Sequence, residues 1–227
     1  MALERQSDSN VTFLQVKHFA LWKEIKRPVE GCETIDVTNP KTKEVIKKHG
    51  YKFRTLSGRA VKLVKYDTGT KYATRYFGFK LHISDGGEVY QLDMPYQSQI
   101  LRRFLRVARN IDFSKPFAIS VFKGKGSDGK EETGIWFQQA GQTVKPYYSR
   151  EQPHGMPPAT QDPDTHEWDF KAQHRWLVQR LQDETIPEID RVAAAAAPPI
   201  EPDTAGNEPP APDYPDTGEI TDDDVPF

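Results

Sequence analysis

Three predicted strands each carry an aromatic residue that should face solvent, because side chains of a strand alternate between the core and the opposite side. The segments are 75–84, 117–124 and 133–139, and the residues are Tyr76, Phe122 and Trp136, with Lys80, Lys123 and Lys125 nearby. Exposed rings stack on unpaired bases, each stacked base contributing about 1–3 kcal/mol, and lysines neutralise phosphates. The pattern is therefore typical of a surface that binds single-stranded nucleic acid.

Further basic and aromatic residues extend this surface onto the neighbouring strand and turn. The complete predicted DNA-binding set is Lys62, Lys65, Lys71, Tyr72, Arg75, Tyr76, Lys80, Phe122, Lys123, Lys125 and Trp136. Gly78 shares the outward face of its strand with Tyr76 and Lys80, and a glycine there leaves room for a flat base. The alternative for each aromatic residue is a second core face, under a helix or an N-terminal arm.

The last seven residues, TDDDVPF, carry a different chemistry. A terminal Phe can enter a small apolar pocket while its carboxylate pairs with an Arg or Lys at the rim, and aspartates steer the segment toward a basic surface. The predicted partner-binding residues are Asp222, Asp223, Asp224, Val225, Pro226 and Phe227.

The residue patterns of a phosphate-binding loop, a metal site and a catalytic site are absent from the sequence. Gly124, Gly126 and Gly129 fall in a turn between two strands, where a phosphate-binding loop would need a strand followed by a helix. The histidines near the C-terminal end do not have metal-ligand spacing, and Cys32 has no second cysteine to pair with. We therefore expect no catalytic residues, no metal, no cofactor and no enzymatic activity.

The elements that must position these residues have the strand and helix order β-β-β-α-β-β. Short β-branched or aromatic runs predict strands at 59–66, 75–84, 88–94, 117–124 and 133–139, and helical spacing of apolar residues predicts a helix within 96–110. This is the order of an OB-fold, a five-stranded, partly open barrel that binds oligonucleotides. An SH3-like barrel or a small α+β sandwich remains an alternative.

Segments outside this core have their own character. Residues 11–25 predict a further strand or hairpin arm, 147–164 read as a linker, and 169–184 predict an amphipathic helix with Phe170, Leu177 and Leu181 on its apolar stripe, ended by Pro187. Residues 192–227 hold eight prolines and nine acids without a Lys or Arg, which predicts disorder. We expect a DNA-binding domain with its arm in 1–150, a linker and helix in 151–191, and an acidic tail in 192–227.

The net charge of −2 conceals a division along the 227 residues. Residues 1–150 carry 27 Lys and Arg against 15 Asp and Glu, net +12, whereas 151–227 carry 4 against 18, net −14. A basic body with an acidic arm is typical of a polyanion binder, although a solvated globule with a floppy end has the same composition. The sequence shows no signal peptide and no membrane-spanning run, so we expect a cytoplasmic protein.

The DDDVPF ending closely resembles the acidic tip of bacterial single-stranded DNA-binding proteins. The stretch from Gly58 to Lys123, with GRAVKLV, GGEVYQLDMPY, FLRVARNID and FAISVF, resembles phage-encoded single-stranded DNA-binding proteins of the OB-fold kind. The resemblance implies an OB-fold, non-sequence-specific binding of single-stranded DNA, and docking of the tip on a polymerase, helicase, primase or nuclease. It also implies action in replication, recombination or repair in the host cytoplasm, and allows a homo-oligomer.

Three alternatives stay open at this point. The body could belong to a subunit of a nucleic-acid enzyme such as a nuclease, although no rigid acid or histidine cluster is visible. It could be a protein adaptor without affinity for oligonucleotides. It could also bind RNA, because nothing in the sequence distinguishes a 2′-hydroxyl.

Overall fold

Alternation of apolar and polar side chains builds the centre of the molecule from β-strands. Phe79, Leu81 and Ile83 are fully buried, while Lys80 and His82 between them lie on the other face. The computed structural model describes residues 11–17, 19–38, 42–70, 75–96, 98–125 and 129–196, without the side chains of 68–70, 75 and 76. These residues belong to one compact unit, Met1–Ala196, and the second unit, Ala197–Phe227, lies outside them.

Ten strands in the described part of the chain form one mixed sheet. In chain order they are β1 (Val11–Lys17), β2 (Ala20–Ile25), β3 (Glu33–Thr38), β4 (Val45–Phe53), β5 (Thr55–Thr70), β6 (Arg75–Asp85), β7 (Glu88–Pro95), β8 (Phe117–Lys125), β9 (Glu131–Gln139) and β10 (Gln142–Thr143). Their spatial order is β10-β9-β8-β5-β6-β7-β1-β2-β4-β3. Neighbouring strands are antiparallel, except that β1 and β7 run parallel.

The mainly β class is confirmed, and so are the five predicted strands, which are β5 to β9. The predicted helix is α1 (Gln99–Val107), placed between β7 and β8. Ser98 caps it, because its Oγ accepts a hydrogen bond from the Leu101 backbone N–H at 3.3 Å. Its apolar stripe is buried against the sheet, and the Phe104 ring lies 5.6 Å from the ring of Phe137 in β9.

The sheet is open and does not close into a barrel. In the described residues β7 and β9 do not pair with each other; β7 pairs with β1, and β9 pairs with β10. The β1–β2 hairpin, which confirms the predicted N-terminal arm, takes the edge of β7 because Leu14 and Leu21 bury in the same core. Strand β2 also contacts β8, although four strands separate the two in the sheet order, so the sheet curls around that core.

Strand β5 changes partner at Gly58. Residues Thr55–Gly58 pair with β8, and the longer part from Arg59 pairs with β6. The backbone of Gly58 has φ +145°, and a Cβ built there would lie 2.4 Å from the carbonyl oxygen of Ser84 and 2.7 Å from Ile83 Cγ2. Only glycine fits this position without displacing β6.

The C-terminal segment is helical for longer than its sequence predicts. After a short ribbon of β11 (Thr160–Gln161) and β12 (Trp168–Asp169), α2 (Lys171–Arg180) passes through a π-helical turn (Leu181–Thr185) into α3 (Ile186–Ala196). The prediction that Pro187 ends the helix is wrong, because the π-turn restarts the hydrogen bonding and Pro187 falls in the first turn of α3. The first residues of the predicted tail, 192–196, belong to α3, which continues through its alanines to Ala196.

Most of the predicted amphipathic stripe packs onto the body. Leu177 and Leu181 are buried, and Ile189 of α3 is inaccessible to solvent in the same core. Phe170 departs from the prediction, because it precedes the first turn of α2 and is half exposed. Within the described residues no helix has the length and apolar character needed to cross a bilayer.

Packing of α3 predicts a difference between two isoleucine truncations. Ile189→Ala should lower the free energy of unfolding by about 2–5 kcal/mol, because it leaves a cavity in the core. Ile46→Ala in β4, at a side chain that is 46% exposed, should cost less than about 1 kcal/mol. Urea denaturation measures both values, and equally small losses would show that α3 is not docked.

Candidate nucleic-acid interface

A groove runs between α1 and the β8–β9 hairpin. It has a volume of about 350 Å³, and the side chains that give it its character are Arg102, Arg103, Arg106, Phe122, Lys125 and Glu132. We call it the helix–hairpin groove. The alternating surface of α1 explains its charge, since the helix buries its apolar stripe and leaves these arginines exposed on the opposite side.

The three arginines of the groove have no carboxylate within ion-pair distance among the described residues. Burial lowers the pKa of Arg106, and the charges of Arg103 and Arg102 lower it further. Arg109, one turn beyond, is different, because it pairs with Glu184 at 3.3 Å and Glu188 at 3.7 Å. The groove therefore concentrates positive charge that ion pairs among the described residues do not neutralise, which favours an anionic ligand.

An aromatic pair forms one wall of the groove and extends beyond it. The rings of Phe122 and Trp136 lie 4.5 Å apart at 54°, and Trp136 is 51% exposed. Phe122 faces Gly134 across the β8–β9 ladder, and a Cβ on Gly134 would lie 2.3 Å from the Phe122 ring. The missing side chain at Gly134 thus sets the position of Phe122, which in turn supports the Trp136 ring.

A second basic surface lies on the outer face of β5 and β6. Lys62 and His82 are directly opposite each other there, and Lys80 lies in the same row of residues along β6. Burial lowers the pKa of His82, and the charges of Lys62 and Lys80 lower it further. We call this the outer strand face, and the predicted grouping of Lys62 with Lys80 is present on it.

The space above Gly78 on this face is occupied by the protein itself. The Tyr66 ring lies over Gly78, where a Cβ would meet the phenolic oxygen at 2.6 Å, and Lys80 Nζ lies 5.4 Å from the centre of that ring. Burial raises the pKa of Tyr66, and its hydrogen bond to Asp93 raises it further. Gly78 therefore receives a neighbouring side chain, and the expectation that it leaves room for a base is wrong.

Two predicted DNA-binding lysines point to the opposite side of the sheet. Lys65 donates a hydrogen bond to Gln182 Oε1 at 3.0 Å and lies over the Phe77 ring, whereas Lys123 pairs with Glu131 at 2.5 Å. Alternation is the reason, because Lys65 is three residues from Lys62 and Lys123 is adjacent to Phe122. The structure separates both lysines from the residues that the sequence pattern groups with them.

Several predicted residues fall where the structure makes no statement. Lys71 and Tyr72 lie outside the described residues, as do the side chains of Arg75 and Tyr76. The tip residues 222–227 also lie outside them. Their predicted roles in binding DNA or partner proteins stay predictions.

Sequence reasoning missed the arginines of α1. The segment RRFLR carries them at positions i, i+1 and i+4 of an amphipathic helix, which is enough to place them on its polar side. The predicted site was built only from strand residues and the turn beside them, so it did not include α1. The structure combines these three residues with Phe122 and Lys125, two members of the predicted set.

Metal chemistry and known relatives give no further indication of function. In the part of the chain that the structure describes, no group of three or more His, Cys, Asp or Glu side chains could hold a metal ion. The chain matches no protein-family model, no curated protein and no solved structure. Function therefore has to be inferred from the groove and the surfaces around it.

The contact between Gly134 and Phe122 predicts different effects for two alanine substitutions in one hairpin. Gly134→Ala should displace the Phe122 ring, lower stability by about 1–3 kcal/mol and change the tryptophan emission, because Trp136 loses its neighbour. Gly124→Ala is the control, since its Cβ would meet no atom closer than 3.5 Å. Identical emission spectra and stabilities for the two variants would contradict the arrangement.

Proposed function

We propose that this protein binds single-stranded DNA without sequence specificity, and that the helix–hairpin groove is its main site. The observation that carries the proposal is the meeting of an aromatic pair with three arginines that have no ion-pair partner among the described residues. Arginines hold phosphates, and a half-exposed Trp136 offers a face on which any base stacks. A duplex hides its base faces, so this combination suits an unpaired strand.

The order of the elements supports an OB-type unit made of β5 to β9 with α1. In that fold, oligonucleotides bind on strands two and three and on the loops between strands one and two and between strands four and five. The corresponding parts here are the β6–β7 face, the β5–β6 connection and the β8–β9 hairpin. The outer strand face shares β6 with the first of these places, the groove includes the β8–β9 hairpin, and Lys71 and Tyr72 lie in the sequence between β5 and β6.

We further propose that the protein coats and protects single-stranded DNA during phage replication, recombination or repair. Residues 222–227 would recruit a polymerase, helicase, primase or nuclease through acidic and apolar contacts. The charge division of the chain, basic in 1–150 and acidic in 151–227, supports separate roles for the two parts.

Titration with oligo-dT, a matched duplex and the matching oligo-rU across a salt series tests the binding function. Tryptophan emission should be quenched by oligo-dT, with weak duplex binding and a steep dependence of affinity on salt. Flat titrations with all three ligands would refute the proposal and favour a protein adaptor. Tighter binding of oligo-rU would move the function to RNA.

Replacing the three arginines of the groove should change that salt dependence. For single strands, each lost phosphate contact reduces the slope of log K against log salt by about 0.7, so Arg102→Gln, Arg103→Gln and Arg106→Gln together should reduce it by about 2. The control combines Lys48→Gln, Lys52→Gln and Lys115→Gln, which remove the same charge from lysines paired with Glu24, Glu33 and Asp112. Equal slopes in the two triple variants would show that net charge, not the groove, determines binding.

Removing residues 222–227 should separate DNA binding from recruitment. The shortened chain should bind oligo-dT at about 0.2 M salt as the full chain does. It should fail to retain on DNA a purified replication or recombination enzyme that the full chain retains. A chain lacking 204–209 instead controls for tail length, and retention of the enzyme by the chain without 222–227 would contradict the role of the tip.

A further inference from the structure

Three cavities meet at the side chain of Arg106. The first is the helix–hairpin groove. The second, of about 400 Å³, is lined by Arg102 and Arg106 together with Tyr96, Phe170, Lys171 and His174. The third, of about 660 Å³, is lined by Arg106 and Arg150 together with Met156, Pro157, Trp168 and Phe170. We infer that the single strand bound in the groove crosses α1 at Arg106 and continues into this third cavity, where Trp168 and Phe170 stack its bases.

The combined lining of the three cavities is strongly basic. Among the described residues it contains one carboxylate, that of Glu132, and six cations: Arg102, Arg103, Arg106, Arg150, Lys125 and Lys171. Lys171 forms an ion pair with Asp169 at 3.4 Å, while the other five cations have no ion-pair partner in the described part of the chain. A polyanion can therefore follow the surface from one cavity to the next.

Acidic residues close to the third cavity are engaged in the backbone turns around it. Asp162 Oδ1 accepts hydrogen bonds from the backbone N–H groups of Asp164 and Thr165, both at 2.9 Å. Asp169 Oδ1 accepts one from the backbone N–H of Lys171, the first residue of α2, at 2.7 Å. None of these carboxylates lines the cavity. Their bonding explains how an acidic segment of sequence supports a basic, aromatic surface.

Two large aromatic side chains stand exposed at this cavity. Trp168 is 55% and Phe170 is 50% exposed, and both line this cavity, Trp168 from β12 and Phe170 from the residue before α2. The opposite wall is apolar, with Met156 and Pro157. A cavity of this size with apolar walls and arginines at its edge suits a planar base joined to a phosphate.

The wall opposite the aromatic residues is held in place by its own contacts. The His154 ring stacks on Tyr147 at 4.1 Å, the Met156 N–H donates to the Pro153 carbonyl at 2.8 Å, and Met156 itself is buried. The Tyr147 N–H donates to the Arg106 carbonyl at 2.7 Å, which ties this loop to α1. The cavity is thus built onto the same helix that supplies the groove.

A length series separates this inference from the proposed function on which it rests. The full chain and its Trp168→Ala variant would be titrated with oligo-dT from about 4 to about 30 nucleotides, which brackets the site of a single OB unit. The shortest strands fit the groove alone, so the variant should bind them as the unaltered chain does. Longer strands should lose about 5- to 100-fold in affinity, the contribution of stacked bases.

Two other variants complete the experiment. Trp136→Ala should weaken binding at every length, and Phe53→Ala, at a 43% exposed aromatic residue of β4, should change it at none. If Trp168→Ala has no effect, or the same effect at all lengths, while Trp136→Ala weakens binding, the inferred path is wrong and the groove stands. If neither tryptophan variant differs from the unaltered chain, the proposed function itself fails.

Discussion

The partner change of β5 at Gly58 is the constraint on which the other surfaces depend. One strand serves two neighbours, β8 before the bend and β6 after it, and the bend requires a residue without a side chain against Ser84 and Ile83. The bend lets the sheet curl, and the curl leaves α1 packed against β9 with its polar side next to the β8–β9 hairpin. A basic helix surface and an aromatic strand surface then form opposite walls of one groove, although they are separate in the sequence.

The distribution of ion pairs distinguishes the charges that hold the fold from those that remain available. Arg109, just after the end of α1, pairs with Glu184 and Glu188 of the C-terminal helical segment. Arg102 and Arg106, one turn apart on the same helix, have like charges at a spacing that destabilises a helix. A bound phosphate would relieve this repulsion, and no carboxylate in the described part of the chain is close enough to do so. The spacing on α1 therefore fits the proposed role of these arginines.

The strands and α1 could be predicted because they depend on local sequence patterns. The site residues could be predicted only where such a pattern also fixes the direction of the side chain. The alternation of apolar and polar residues predicts β6 and the outward direction of Trp136. The helical spacing of apolar residues predicts α1. The partner of β7 could not be predicted, because the choice between β9 and β1 is a competition between distant segments for one edge. Counting positions along the strands is enough to place Lys65 and Lys123 on the face opposite the predicted DNA-binding residues. The arginines of α1 can be found from the sequence if the polar side of the helix is treated as a possible binding surface. The helix beyond Pro187 depends on a π-turn, which no local pattern indicates.

The two walls of the groove differ in how far neighbouring residues support their side chains in the free protein. Phe122 rests on Gly134 and supports Trp136, so the stacking surface exists in the free protein and loses little entropy on binding. The arginines are exposed and have no ion-pair partner among the residues that the structure describes, which leaves them available to a phosphate chain of any sequence. A fixed stacking surface accepts every base, and adjustable cations respond to phosphate spacing and to salt. A supported aromatic wall facing exposed cations is what the proposed non-specific binding of an unpaired strand requires.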